Sequence, residues 1–229
     1  MKAQSEQISK YFGQTAYNIR FLNRGNLHQI TELNAHVMNN IDDPVMYHPP
    51  YDVELLSFCL CEGLAIGVFY ENRLVAYQVT YYSDSRCEDP GADLGIPNIR
   101  TRNAAQFHGI AVHSLCRSRG FGLAMTKYAI HAVRNARVSH AAATCHPDNL
   151  HSLTILFTSG FRIKGLKNKY GGKLRYILHK EFGGDGFSPG VRAVADHKDI
   201  KTQKRMLAEG YVGVGTEKSD EGYGIVFAR

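Results

Sequence analysis

Nowhere among the 229 residues does the chain string together the ~18 consecutive apolar residues that a membrane-spanning helix requires. Its opening stretch, MKAQSEQISKYFGQ, lacks the apolar segment of a secretory signal, so the expectation is a soluble cytoplasmic protein. Cysteine is scarce and odd in number, with Cys59, Cys61, Cys87, Cys116 and Cys145 outlining no disulfide framework. Cys59 and Cys61 would point apart on a helix and no second pair completes a zinc site, so no metal is expected. Low-complexity tracts are missing, and no internal repeat stands out. Acidic residues are outnumbered, 21 against 27 basic ones, for a net charge of +6. The basic residues are dispersed and no nucleic-acid motif accompanies them, so a polyphosphate ligand fits this charge better than a nucleic acid.

What is present is an ordinary globular composition, 44% apolar and 21% charged, sufficient for one good-sized core. Residues 1–16 read as a polar lead-in and 17–22 as a strand. Leu27, Ile30, Leu33, Val37 and Ile41 recur at helical spacing, which predicts a helix over 26–40. Asp-Pro and Pro-Pro make 42–51 a loop, and a short helix follows Asp52. Two strand-like runs, 64–70 and 74–82, meet at Glu71-Asn72-Arg73 as a hairpin. A long loop over 83–103 precedes a strand at 105–115, a helix at 120–137, a strand at 138–145, a helix at 149–159 and strands at 161–166 and 174–182. The mixed order implies an α/β domain over 17–182 with a mostly antiparallel sheet. Glycines at 183, 184 and 186 and Pro189 break the chain, and 183–229 reads as a small α+β appendage with a helix at 196–209 and a hairpin from 211–216 and 223–228.

Chemistry concentrates after the strand at 105–115. There Arg117-Ser118-Arg119-Gly120-Phe121-Gly122-Leu123-Ala124 opens a helix. A glycine-rich turn at a helix N-terminus leaves backbone N–H groups unpaired, and the helix dipole adds positive potential. That makes a pyrophosphate cradle, with Gly120 and Gly122 allowing close backbone approach and Arg117 and Arg119 charging the rim. Neither G-x-x-x-x-G-K-[ST] nor G-x-G-x-x-G describes the turn.

This segment resembles instead the R/Q-x-x-G-x-G/A signature of the GNAT superfamily of N-acetyltransferases. The strand His108-Gly109-Ile110-Ala111-Val112-His113 stands where that superfamily places its coenzyme-pairing strand. Asn149, Ser152, Gly160 and Phe161 match its second motif. The resemblance implies a central sheet with a splayed parallel strand pair, here 105–115 and 138–145, gripping acetyl-CoA as acyl donor. Backbone groups of Ile110, Ala111 and Val112 would pair with the pantetheine arm, residues 117–124 would seat the pyrophosphate, and Asn149 with Ser152 would lie further along the arm. The acceptor would be an amine, of a small molecule or a protein, whose nitrogen attacks the thioester directly within a ternary complex. A coenzyme-binding module without transferase activity is the alternative, and dimerisation is left open.

An amine must shed its proton to attack, and histidine titrates near neutrality, so His108 is the candidate base. Strand alternation places Gln106, His108, Ile110 and Val112 on one face unless a bulge intervenes. The family's acid, a Tyr seven residues after the Asn, is replaced here by Leu156; either the thiolate leaves without a dedicated acid or another tyrosine substitutes, Tyr170 and Tyr176 being the candidates, Tyr170 first. Cys145 reads as a buried, inert thiol, and His146 and Asp148 as caps of the helix at 149. Tyr47, His48, Tyr51, Asp52 and Glu54 in one loop and Asp84, Glu88, Asp89 and Asp93 in the other suggest a cationic acceptor. The basic run from Arg162 to Lys180, Arg175 included, reads as solvent-facing strand edges, some of which could touch the coenzyme's 3′-phosphate or an acidic acceptor.

Overall fold

Ile30, Leu33 and Val37 are buried along one side of α1 (Leu27–Met38), as their spacing predicts. They meet Leu56 and Cys59 of α2 (Val53–Glu62), while Cys61 faces outward. The computed structural model describes residues 17–48, 53–82, 92–95, 103–184, 187–188, 190–219 and 222–229. Tyr51, Asp52, Asp84, Cys87, Glu88 and Asp89 fall outside them. The remaining elements are β1 (Asn18–Phe21), β2 (Leu64–Tyr70), β3 (Arg73–Tyr82), β4 (Ala104–Val112), α3 (Phe121–Asn135), β5 (His140–Cys145), α4 (Leu150–Thr158), β6 (Arg162–Lys169), β7 (Lys173–Glu181), β8 (Arg192–Asp196), α5 (Ile200–Ala208), β9 (Val212–Ser219) and β10 (Gly222–Ala228). The strands of the described residues share a ten-stranded sheet in the order β1-β2-β3-β4-β5-β7-β6-β9-β10-β8. Every pairing is antiparallel except β4 with β5.

One face of the sheet carries α1 and α2 over a core that includes Tyr77, Val79 and Ala111. The other carries α3, α4 and α5 over a larger core reaching from Ile66 to Phe227. No helix among the described residues is long and apolar enough to cross a membrane.

The C-terminal segment corrects the expectation of no internal repeat. The unit β5-α4-β6-β7 recurs as β8-α5-β9-β10, whose first strand the sequence reading missed. Asn149 caps α4 by accepting from Ser152 N–H, and Asp199 caps α5 by accepting from Thr202 N–H, each at 3.0 Å. Gly160 and Gly210 end the helices at φ 84° and 85°. Next come Phe161 and Tyr211, whose N–H groups bond back to Leu156 and Met206 at 3.0 Å. The corresponding residues keep one constant offset. The units meet where β6 pairs antiparallel with β9, and the paired residues, Ile163 and Gly213, are themselves equivalent positions. A local dyad therefore passes through that pair, and the sheet order around it is a palindrome.

Gly213 is required there because a Cβ would stand 2.9 Å from both Cβ and Cδ1 of Ile163. Gly213→Val is expected to destabilise the fold by about 1–3 kcal/mol through overpacking at this junction. Denaturant unfolding measures it, and an unchanged midpoint would contradict the packing argument.

Candidate active site

β4 and β5 pair only from Ala104 opposite His140 to Phe107 opposite Ala143. Beyond those residues β4 stays bonded to β3 while Thr144 and Cys145 stay bonded to β7, so the two parallel strands part. The parting opens a cleft between the two strands. Met46, Tyr47 and His48, Phe107 to Ile110, Ala143 to His146, Asn149, Ser152 and Leu156, and Tyr170 and Arg175 line it.

The expected strand over 105–115 ends earlier, at Val112, and is bulged. Gln78 opposes Ile110 while its neighbour Val79 opposes His108, which leaves Gly109, at φ 57°, as the extra residue. Opposed residues share a face, so the bulge turns Ile110 and Val112 away from Gln106 and His108. This overturns the one-face expectation. His108 joins the face of α1 and α2, and Ile110 the face of α3 and α4, where its Cγ2 lies near Gly122. The cleft thus has two differently furnished mouths.

On the Ile110 side stands the turn before α3. Ser118 (φ 60°) and Gly120 (φ 79°) both adopt the left-handed conformation, and a Cβ on Gly120 would meet nothing within 4 Å. No side chain caps the helix and no acid lies in its first turn. The first rung of its ladder is Ala124 N–H to Gly120 C=O at 3.0 Å, so the Ala124 amide is engaged while those of Phe121, Gly122 and Leu123 precede the ladder. Gly122 also has a packing role. It is buried, and a Cβ there would come within 2.8 Å of Ile155 Cδ1, so it serves the packing of α3 on α4. Phe121 anchors the turn by packing edge-on against Tyr17 at 4.8 Å. Arg117 donates to the Asn40 carbonyl at 3.1 Å, tying the turn to the end of α1, and Arg119 lies over Tyr17. Leu123 is half-buried.

On the other side, His108 is half-buried, its Nε2 buried and without a hydrogen-bond partner among the described residues. Burial first and the nearby His48 second push its pKa down to about 4, below the neutral value the sequence suggested. The two imidazoles stand edge to face at 6.5 Å, and His48 stacks on Tyr170 at 4.1 Å. Tyr170 has φ 52° in the turn between β6 and β7, followed by Gly171 and Gly172, also at positive φ. The turn folds the phenol back over β5, where its hydroxyl meets Thr144 Oγ1 at 2.9 Å. Tyr176 is fully buried and donates to Gln203 Oε1 of α5 at 2.5 Å, which makes it a packing residue.

Asn149 spends its Oδ1 on the Ser152 amide, leaving its Nδ2 as the donor for a ligand. It is Asn149, rather than His146 or Asp148, that caps α4. Burial pushes the Cys145 thiol up to about 12, consistent with an inert role. Asp93 is held by Lys167 at 3.0 Å and Lys169 at 3.2 Å, outside the cleft. The repeat unit buttresses the loop that enters α4: Tyr223 donates to the Pro147 carbonyl, and His197 stands 3.7 Å from Asp148. Among the described residues no group of His, Cys, Asp and Glu could hold a metal ion. Arg175, which the sequence did not single out from the basic run, lies buried in the cleft wall.

Several solved structures share this fold at low sequence identity. An acetyltransferase of the GNAT family from Streptococcus pneumoniae superposes with a TM-score of 0.57 at 13% identity, covering 73% of this chain and 99% of its own. A putative acetyltransferase from Salmonella typhimurium, solved with acetyl-CoA, gives 0.54 at 16% identity over 77% and 100% of the two chains. The ribosomal-protein-S18-alanine N-acetyltransferase from Escherichia coli gives 0.54 at 13% over 75% and 99%. No curated protein matches the sequence. The acetyltransferase (GNAT) family model matches residues 34–157, more than half of the chain, from α1 through the turn before α3 and into α4. The chain belongs to the acetyltransferase (GNAT) family.

Proposed function

We propose that the protein transfers an acetyl group from acetyl-CoA to a primary amine, the nitrogen attacking directly within a ternary complex. The observation that carries this reading is the parting of β4 and β5 beside the uncapped, amide-presenting mouth of α3. Coenzyme complexes among the fold neighbours agree with it.

Acetyl-CoA supplies a thioester carbonyl open to attack by nitrogen and a thiolate able to depart. The chain's own groups would do the rest. Amides of 120–123, with Arg117 and Arg119 at the rim, would hold the pyrophosphate. The β4 edge from Ile110 through Val112, released by β5, would pair with the amide-bearing arm, and Asn149 would donate to it through Nδ2. Ala111 would act through its backbone alone, its side chain being buried on the opposite face. The backbone loosened at the Gly109 bulge would supply an N–H to the oxygen that gains charge. His108, neutral and with Nε2 unclaimed, would receive the proton that the nitrogen sheds once bonded to carbon.

Tyr170 would protonate the departing sulfur, doing from the β6–β7 turn what Leu156 cannot. Tyr170→Phe keeps the stacking on His48 and is expected to lower kcat by about tenfold or more with little change in KM for acetyl-CoA. Because a thiol of ordinary acidity can also leave unaided, an unchanged kcat would remove Tyr170 from the chemistry.

The reading as a whole is tested by calorimetric titration with acetyl-CoA, followed by thiol release over a panel of amines. Binding with turnover supports it. Binding without turnover on a broad panel points to a coenzyme-binding module, and absence of binding overturns both.

A further inference from the structure

Arg175 is the buried charge that the proposed chemistry leaves unused. It lies on β7, 2% exposed, and lines the cleft. Its register fixes its side: Cys145 opposes Tyr176 in the large core beneath α4, so Arg175 points to the opposite face, with Thr144 and Tyr170. That is the face carrying His108. Nη1 donates to the Leu174 carbonyl at 2.7 Å and Nη2 to the Val45 carbonyl at 2.6 Å. A guanidinium carries more N–H donors than two carbonyls employ. The carboxylate that acts on it electrostatically, Asp43, commits Oδ1 to the Val45 amide at 2.8 Å. No carboxylate of the described residues lies within salt-bridge distance of Arg175.

Buried charges in proteins are paired, because leaving a desolvated ion uncompensated is costly. Burial accordingly pulls the Arg175 pKa below its usual value. With no carboxylate in contact with it among the described residues, the guanidinium points to a ligand as its partner. None of the described residues lining the cleft is an aspartate or glutamate, so nothing described there would hold a second cation, contrary to the cationic acceptor that the loop acids suggested. The lining offers instead a guanidinium backed by His48 and Tyr170.

We propose that the acceptor is an amine that also carries a carboxylate, as a free amino acid does, and that Arg175 binds this carboxylate on the His108 side of the cleft. The inference rests on the transferase reading above and names its substrate class. A planar guanidinium suits a carboxylate because both present paired, coplanar groups.

The test is acetyl-CoA turnover with matched pairs, L-phenylalanine against L-phenylalaninamide and L-methionine against L-methioninamide. The amides have the less basic amines, so more of each amide is unprotonated at neutral pH, which biases the comparison against the proposal. The expected result is a kcat/KM about 10- to 100-fold higher for the acids. Arg175→Gln should bring the acid-to-amide ratio close to unity, and Arg175→Lys should retain part of the preference. A wild-type ratio at or below unity overturns the proposal, whether or not the variants fold. An equal loss for acid and amide in a folded Arg175→Gln also overturns it, since the guanidinium would then brace the loop at Val45 or act at the sulfur. If no amine is turned over, the CoA-loaded protein is titrated with N-acetyl-L-phenylalanine and its amide. Tighter binding of the acid, lost in Arg175→Gln, then supports Arg175 as a carboxylate site even though the transferase reading has failed. Equal or absent binding overturns both.

Discussion

His108→Gln should lower kcat by about 100- to 10,000-fold while leaving coenzyme affinity intact, because it removes the proton acceptor and nothing on the pyrophosphate side. The structure changes what the pH profile should look like. With its pKa near 4, the imidazole is already neutral throughout the working range, so its own titration cannot produce an acid limb near neutrality. Such a weak base cannot strip a free ammonium ion efficiently. It can accept a proton from a nitrogen already bonded to the acyl carbon, because bond formation makes that N–H far more acidic. The rise of kcat/KM with pH should therefore follow the amine's own ionisation and shift when acceptors of different basicity are compared. A wild-type limb near 6.5 that disappears in His108→Gln would mean that His108 ionises normally and acts before attack.

The same burial has a thermodynamic consequence with a definite sign. The folded pKa lies below the unfolded value, so between about pH 4 and 6.5 the unfolded chain binds more protons. Stability should be complete above this window and fall as pH drops through it, by roughly 3 kcal/mol at most. His108→Gln should flatten that dependence in thermal unfolding.

The turn before α3, its helix and the strand that carries His108 were legible in the sequence, because each rests on local chemistry: glycines at a helix mouth, apolar spacing, a strand before the turn. The bulge was not. Gly109 is one glycine among several in the chain, and nothing in residue type says that this one inserts into β4 and separates the faces of His108 and Ile110. Arg175 escaped for a related reason. Within the basic run Arg162 to Lys180 it looks like its neighbours, and only the fold of β7 beneath Val45 takes it out of water. The repeat was hidden because equivalents differ in polarity, Leu153 against Gln203 and Ile163 against Gly213. The retained pattern is a cap, a Ser or Thr three residues on, then glycine and an aromatic. Those positions bear backbone constraints; the rest are free to drift. Gly122 shows the converse, since a residue can fit a ligand motif and be held there by helix packing.

The largest loss of coenzyme affinity should come from Gly120. Its φ of 79° is one that a β-branched residue adopts only at a cost, and the space a Cβ would enter is empty of protein. Gly120→Val would therefore cost little by collision within the fold, while displacing the amides of 121–123 and filling the approach to them. Each charge-assisted hydrogen bond lost is worth about 1.5–3 kcal/mol, so losing two predicts at least about 100-fold weaker binding of CoA by calorimetry. Gly122→Ala makes the contrasting case. Its methyl would press on Ile155, the end of a flexible side chain, and should cost about 1 kcal/mol of stability while sparing affinity, since it leaves the conformation at 120 unchanged. If the effects were exchanged, with Gly122→Ala abolishing binding and Gly120→Val tolerated, the diphosphate would be gripped further into the helix than its exposed mouth. Arg117 would then contribute through its anchor on Asn40, holding the turn to α1, rather than as a charge at the rim.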